Sequence, residues 1–591
     1  MTLTAIDWGV ILAYFVIALG VGLYFRRRAG QSMAEFFVSG RALPWWVAGT
    51  SMVATTFAAD TPLAVQGLVA EHGLAGNWFW WAFALGGMVT VFLYARLWRR
   101  AEVLTDVELV EIRYSGKAAA FLRGFRAVYM ALLVNSIIIG WVTGAMLRVL
   151  KYTLFSGTTV QSGSGDWYLI LGMLAVVGIY STLSGLWGVV ATDFVQFIMA
   201  MVGFIILAVV AVQHVGGVGA LQAKVAANFQ GGAQAFRFLP DFRAGDRWMP
   251  LNIFLIMLFI QWWATWYPGA EPGGGGYIVQ RMASCKDERH SLLATLWFQI
   301  AHYCVRPWPW LMIAFVALAM YPDLRSMADP GVGFPMVIRD LAPAGVRGLV
   351  LVAFFAAFMS TISTQMNWGA SYLVSDFYHR FIRPDAGDRH LARVSRLVSV
   401  FVLALGAGAA WFMRDTPVDK AWKILAALGA GTGAVFMLRW YWWRINAWTE
   451  IAAMIASLAF FGVVSRFVVQ NEHRMAIVAA LTIGTWLVVT FLTRPERPET
   501  LERFYRKVRP GGPGWRPQAA ACPEVSADRN LGVSILAAAF AAGIVYLTLP
   551  GVGLIIFGQY GKAAAALSGA VVCVVVVFAL MRRVGWETIA R

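Results

Sequence analysis

The sequence predicts an all-α polytopic membrane protein of about fifteen transmembrane helices. Three observations predict it. The 591 residues are 59% hydrophobic and only 13% charged, about half the charge of an ordinary soluble chain. Apolar stretches of about 20 residues, enough to cross a ~30 Å hydrocarbon layer, recur along the whole length. Most of the 48 Lys and Arg residues gather on alternate loops, which is the positive-inside bias of membrane proteins.

The candidate spans fall near residues 7–25, 46–70, 78–97, 126–149, 167–184, 188–212, 251–270, 291–320, 347–377, 394–413, 421–438, 447–465, 475–493, 530–549 and 562–581. With the N-terminus outside, one set of loops collects Arg26 to Arg28 and Arg41, then Arg96 to Arg126, Arg380 to Arg396, and Arg494 to Arg516. That side is cytoplasmic, and an odd span count leaves the C-terminus there too. The net charge of +17 is explained by these loops and needs no nucleic acid. The expected location is a bacterial cytoplasmic (inner) membrane. Cys285 and Cys522 fall in loops and Cys304 and Cys573 in spans, a scatter that fits neither a disulfide framework nor a metal site.

The spans group into segments. Residues 1–44 hold an accessory first helix and a basic loop. Residues 45–212 and 251–445 read as two repeats, separated by an external loop at 213–250. Peripheral helices follow at 446–493. A basic cytoplasmic linker occupies 494–529, and a C-terminal helix pair, read as a peripheral appendage, occupies 530–591. No Walker A sequence appears, and no nucleophile motif such as Gly-x-Ser-x-Gly falls in a plausible setting. The sequence therefore speaks against ATP-driven pumping and against an enzyme, and no obligate protein partner is evident.

Two spans are interrupted. The second reads "SMVATTFAADTPLAVQGL", with Pro62 at mid-membrane. The seventh reads "QWWATWYPGAEPGGGGYIVQRM", with Pro268, Pro272 and four consecutive glycines. Proline removes a helix donor and clashes with the preceding turn, and glycine weakens helix further. Broken helices persist in hydrocarbon only where they are packed in protein or line a wet cavity. Two breaks five spans apart point to a transporter of inverted repeats, spans two to six and seven to eleven. Asp60-Thr61-Pro62 also reads as an ordinary helix N-cap followed by proline.

Ionisable residues at membrane depth are costly, so each is a functional candidate. They are Asp60, Asp193, Glu271, His302 and Arg306. Asp193 could instead pair with a distant arginine, and Arg306 with Glu271 or Asp60. His302 reads better as a packed, hydrogen-bonded residue than as a proton relay. The run "AAFMSTIST" at 356–364 adds four hydroxyls. Helical spacing puts Ser360, Ser363 and Thr364 on one face, with Thr361 about a quarter-turn away. Each could bond back to its own helix. Together with carbonyls freed by a broken helix and one carboxylate, they would also cage a hard cation such as Na⁺.

These residues resemble the sodium:solute symporter family over roughly residues 5–470. The resemblance rests on "FFVSGRALPWWVAGTSMVA", "Ala-Thr-Asp-Phe-Val-Gln" at 191–196, "Tyr-Ile-Val-Gln-Arg" at 277–281 and "Ala-Phe-Met-Ser-Thr" at 357–361. It implies a five-plus-five inverted-repeat core of the LeuT type and sodium-coupled import of a small organic solute by alternating access. It further implies a first sodium site from the carbonyls of Ala54, Phe57 and Ala357 and the hydroxyls of Ser360 and Thr361. A second site would use Asp193, Ser360, Ser363 and Thr364, so one or two Na⁺ serve as coupling ions, with no other cofactor. The chain departs from the family at Thr56, where Asn or Asp is usual, and carries Asp60 instead. The substrate cavity is expected between the breaks, from Thr56, Asp60, Thr61, Gln66, Asn135, Gln261, Trp262, Glu271, Tyr277 and Arg306. The aromatic cluster Trp262, Trp263, Trp266 and Tyr267 favours a sugar or sugar derivative. A proton-coupled symporter, an amino-acid or carboxylate symporter, and a non-transporting sensor on the same fold stay open.

Overall fold

The computed structural model describes residues 3–29, 31–155, 163–242, 248–264, 273–418, 421–422, 429, 431–528 and 530–584. The described residues are helical, without strands beyond one isolated bridge between Leu43 and Cys285. Among the described residues eleven helices are long and apolar enough to cross a membrane, with shorter apolar helices at Gly165–Ile179 and Leu251–Ala264. The four cysteines are free.

The second span is broken as its sequence requires. One helix runs Trp45–Thr56 and the next Thr61–His72, with Pro62 in its first turn. Phe57 (φ −83°, ψ 82°) ends the first half, so the last carbonyls of that half lose their helical partners. Asp60 does not cap the second half with its side chain; the carboxylate is turned elsewhere. Of the seventh span's break, residues 265–272 lie outside the described residues. Its far side shows Gly273, Gly274 and Gly276 at φ 78°, 88° and 53°, a backbone that favours glycine. The helix Gly276–Ser284 starts there, and the Trp98 indole donates to the Gly273 carbonyl at 2.6 Å.

The helical run Gly165–His214 has 50 residues and would be about 75 Å long if straight. Its apolar stretches are Gly165–Ile179 and Leu186–His214. The Ser181 hydroxyl reaches the carbonyl of Ser363 at 3.5 Å, while Asp193 accepts from Ser360 at 2.6 Å. Both contacts fall on neighbouring residues of one turn of the hydroxyl-bearing helix.

Close packing fixes the helix carrying the hydroxyls, Val346–Ser371. Every residue from Ala356 to Ser371 is buried. The first helix, Ala5–Ala29, braces it: Tyr14 meets the Met359 sulfur and accepts from Gln196 at 2.7 Å. Across the centre, helix Trp45–Thr56 lies tight on helix Glu288–Ile300, where a Cβ added at Gly49 would sit 2.5 Å from the Ala294 carbonyl oxygen. Such small-residue contacts let membrane helices approach closely.

Two segments are more integrated than the sequence suggests. The basic linker folds into a helix, Pro498–Val508, whose Leu501, Phe504, Tyr505 and Val508 are buried. Its arginines supply the charge while its apolar face docks. Trp515 follows, stacked on Phe504 and donating to the Trp440 carbonyl at 2.7 Å. The C-terminal helix Leu531–Ile556 is likewise seated on the core. Tyr546 donates to the Trp81 carbonyl at 3.1 Å, and Leu549 accepts from the Trp308 indole at 3.1 Å.

Candidate functional site

The break in the second span opens onto the hydroxyl-rich turn of helix Val346–Ser371. The Thr361 hydroxyl donates to the Thr55 carbonyl at 3.0 Å. Ala54 and Ala357 are each 2% exposed, and Phe57 closes the turn by donating its N–H to the Val53 carbonyl at 2.9 Å. Thr361 and Ser360 thus stand against the end of a helix whose carbonyl dipoles carry partial negative charge. Oxygens of this kind suit a hard monovalent cation.

Asp193 lies beside this site, fully buried. Its Oδ1 accepts from Ser360, and its Oδ2 from Ser51. The side chain that completes the cluster is Arg281. Its Nη2 lies 3.9 Å from Asp193 Oδ2 and donates to Thr364 at 2.8 Å and Thr55 at 3.2 Å. Its Nε donates to Ser51 at 3.2 Å and its Nη1 to Gln280 at 3.1 Å. The pairing of Asp193 with an arginine distant in sequence is therefore what the structure contains. Ser363 bonds back to the Ser360 carbonyl at 3.1 Å, the local alternative open to any serine in a helix. The structure brings Asp193, Ser360 and Thr364 into one cluster, and it places Arg281 among them.

Arg281 was overlooked as a site residue by sequence reasoning. The available signal was an arginine in "YIVQRM", directly after a broken span, with a buried carboxylate elsewhere to neutralise.

Beyond the break lies a cavity of about 140 Å³. Thr56, Asp60, Thr61 and Tyr277 line it, joined by Trp80, Trp141, Gln299, His302, Tyr303, Thr361, Gln365 and Trp422. Asp60 Oδ2 accepts from the Trp422 indole at 2.9 Å, a contact across 362 residues of sequence. Five-residue π-helical turns, Thr90–Tyr94 and Ala301–Val305, carry Thr90, His302 and Tyr303 to the wall. Such turns rotate side chains out of the regular α-helical register, often at functional sites.

The other expected cavity residues sit behind the wall. Asn135 donates to the Gln365 carbonyl at 2.8 Å, and Gln261 to the Phe79 carbonyl at 2.9 Å. Trp262 lies on Gly86. Gln66 is fully buried, and its amide lacks a hydrogen-bond partner among the described residues. Glu271 lies outside the described residues, as do Trp266 and Tyr267. Arg306 does not form the expected ion pair with Asp60. It donates to the Val53 carbonyl at 3.2 Å, contacts His302 Nδ1 at 2.6 Å and lies 4.8 Å over the Trp310 ring. The ring and the carbonyl offset part of the buried charge, the other expected partner, Glu271, lies outside the described residues, and His302 is a packed, hydrogen-bonded residue.

A multi-pass helical protein with a broken span, a hydroxyl-rich helix against the break and a cavity beside it is a membrane transporter of the ion-coupled class. The family model for the sodium:solute symporter family matches residues 36–457, and the chain belongs to that family. It is a sodium-coupled solute importer, with Na⁺ as the coupling ion. A sodium/glucose cotransporter of Vibrio parahaemolyticus is 26% identical over 479 residues, covering 78% of this chain and 84% of the relative. Sodium/glucose cotransporter 1 of Oryctolagus cuniculus is 26% identical over 482 residues, covering 75% and 69%. A solved substrate-bound, outward-open structure of a Na⁺-coupled sialic acid symporter shares the fold, with a TM-score of 0.64 at 20% identity over 84% of this chain and 99% of that one.

Proposed function

We propose that sodium binds between the end of helix Trp45–Thr56 and helix Val346–Ser371, and that this contact drives import of a small organic solute held in the adjoining cavity. The ligands are the carbonyls of Ala54, Phe57 and Ala357 with the hydroxyls of Ser360 and Thr361. The observation that carries this reading is the Thr361 hydroxyl resting on the Thr55 carbonyl at the helix break. The two repeats contribute one element each. An ion that joins them stabilises one arrangement of the repeats, and differential affinity is what lets a ligand shift a conformational equilibrium. With the N-terminus outside a bacterial cytoplasmic membrane, the inward-negative potential adds about 2.3 kcal/mol per charge per 100 mV.

A second ion at Asp193, Ser360, Ser363 and Thr364 is supported by the carboxylate already facing Ser360. Arg281 occupies the cation side of that carboxylate, so a second sodium would enter in competition with the guanidinium. Names of relatives suggest a sugar, yet no set of sugar ligands carries over residue by residue. The test is sodium-gradient-driven uptake in proteoliposomes at clamped pH. Sodium coupling predicts accumulation that follows the sodium gradient with a Hill coefficient that Asp193→Asn lowers. Accumulation that follows only a proton gradient would support the proton-coupled alternative.

A further inference from the structure

Among the described residues the cavity wall carries one carboxylate and no cationic side chain. Asp60 is 3% exposed. It accepts from the Trp422 indole at 2.9 Å and, weakly, from the Thr61 hydroxyl at 3.4 Å. Among the described residues no Lys, Arg or His nitrogen comes within 4.0 Å of it. The Trp141 indole adds a third dipole, and the Arg306 guanidinium acts on this charge only from beyond ion-pair distance; a buried carboxylate with no cation in contact is costly.

The remaining wall sharpens the point. Trp80, Trp141, Tyr277, Phe298, Tyr303 and Trp422 surround the space, and aromatic faces attract cations. The Arg306 guanidinium stands behind the wall, committed to the Val53 carbonyl, His302 and the Trp310 ring. Because a guanidinium can only donate, His302 Nδ1 must accept and the imidazole is neutral. Several polar wall groups are already spent within the protein: Thr56 on the Met52 carbonyl, Thr90 on the Gly86 carbonyl and Thr361 on the Thr55 carbonyl. Gln299, Gln365 and Tyr303 remain as directional partners on the wall, so the carboxylate among aromatic faces, not a lack of polar groups, is what marks this site. An anionic solute would meet Asp60 without a facing cation.

We propose that the solute is a small organic cation whose ammonium group docks on Asp60 inside the aromatic wall. This rests on the reading of the cavity as the solute site of a sodium-coupled importer. It differs from the sugar expected from sequence; of the aromatic cluster behind that expectation, Trp262 and Trp263 do not line this wall, and Trp266 and Tyr267 lie outside the described residues.

The experiment is thermal stabilisation of the purified full chain, with and without sodium. The ligand panel is a series of primary and quaternary alkylammonium ions up to choline size and somewhat beyond, with glucose, galactose and sialic acid for comparison. Sodium alone should raise the melting temperature in the wild type and in Asp60→Asn, which tests the sodium reading separately. At least one alkylammonium ion should add a sodium-dependent rise in the wild type. Asp60→Asn should weaken its apparent affinity roughly a hundredfold, while Asp60→Glu keeps most of it. If Asp60→Asn fails to fold, Trp80→Leu provides the second arm, with about tenfold weaker binding of the ammonium ion. Stabilisation by glucose or sialic acid that survives Asp60→Asn overturns the proposal. So does the absence of stabilisation by every ammonium ion in the panel.

Discussion

The Thr361 hydroxyl donates to the carbonyl of Thr55 across 3.0 Å, joining helices whose contact residues lie 306 positions apart. The carbonyl belongs to the last turn of a helix that ends at Thr56. The donor sits on the helix that also carries Ser360, Ser363 and Thr364. One bond thus ties the break in the second span to the polar face of helix Val346–Ser371, where the coupling ion is proposed to bind.

Removing that hydroxyl while keeping its shape should cost sodium affinity. Thr361→Val is expected to weaken sodium binding between tenfold and a hundredfold, the range for one hydrogen-bonding group facing a charge. Thr361→Ser should restore most of it. Sodium titrations of thermal stability read both.

Arg281 and Asp193 make opposite predictions. Arg281→Gln leaves a buried carboxylate without its cation and should lower sodium-free stability by about 3 kcal/mol. The same change removes the competitor for that carboxylate, so the gain in stability on adding sodium should grow. Asp193→Asn should shrink the gain instead. If the sodium-dependent gain falls in both variants, competition between Arg281 and an ion is the wrong description.

Glu111 gives a pH dependence outside the membrane. Burial raises its carboxyl, but bonds to Arg380 at 2.9 Å and Arg123 at 2.7 Å outweigh burial and hold it below the usual 4.5. A carboxylate lowered in the folded state contributes stability above its unfolded value and loses it as pH falls further. Stability should therefore decline below about pH 4.5 by less than about 1 kcal/mol from this group, since Arg380 is half exposed and screened. Glu111→Gln should flatten that part of the curve in melting temperatures measured from pH 3 to 7.

The docked linker should matter for stability. Trp515 is 1% exposed, stacked on Phe504 and bonded to Trp440. Trp515→Ala is expected to cost about 3 kcal/mol, the usual cost of deleting a buried aromatic ring. A surface-like loss below about 0.5 kcal/mol would mean the linker is loosely attached.

The break at Phe57–Asp60 was legible because proline and the lost helix bonds act locally. The pairing of hydroxyls on helix Val346–Ser371 was legible for the same reason, since helical spacing alone sets the face. The wall around Asp60 was not. Trp422 reaches it from 362 positions away, and an N-cap reading of Asp-Thr-Pro competes until the carboxylate is seen facing the cavity. Asp193 was conspicuous, but nothing local says which arginine among many neutralises it. The linker's docking was hidden because its arginines dominate the composition while its apolar face is only one side of one helix.

The most direct measurement of the central claim is equilibrium binding of radioactive sodium to the purified chain and to the double variant Ser360→Ala, Thr361→Val. The account predicts saturable binding by the wild type and at least about tenfold weaker binding by the variant. Saturable sodium binding of unchanged affinity in the double variant would contradict it.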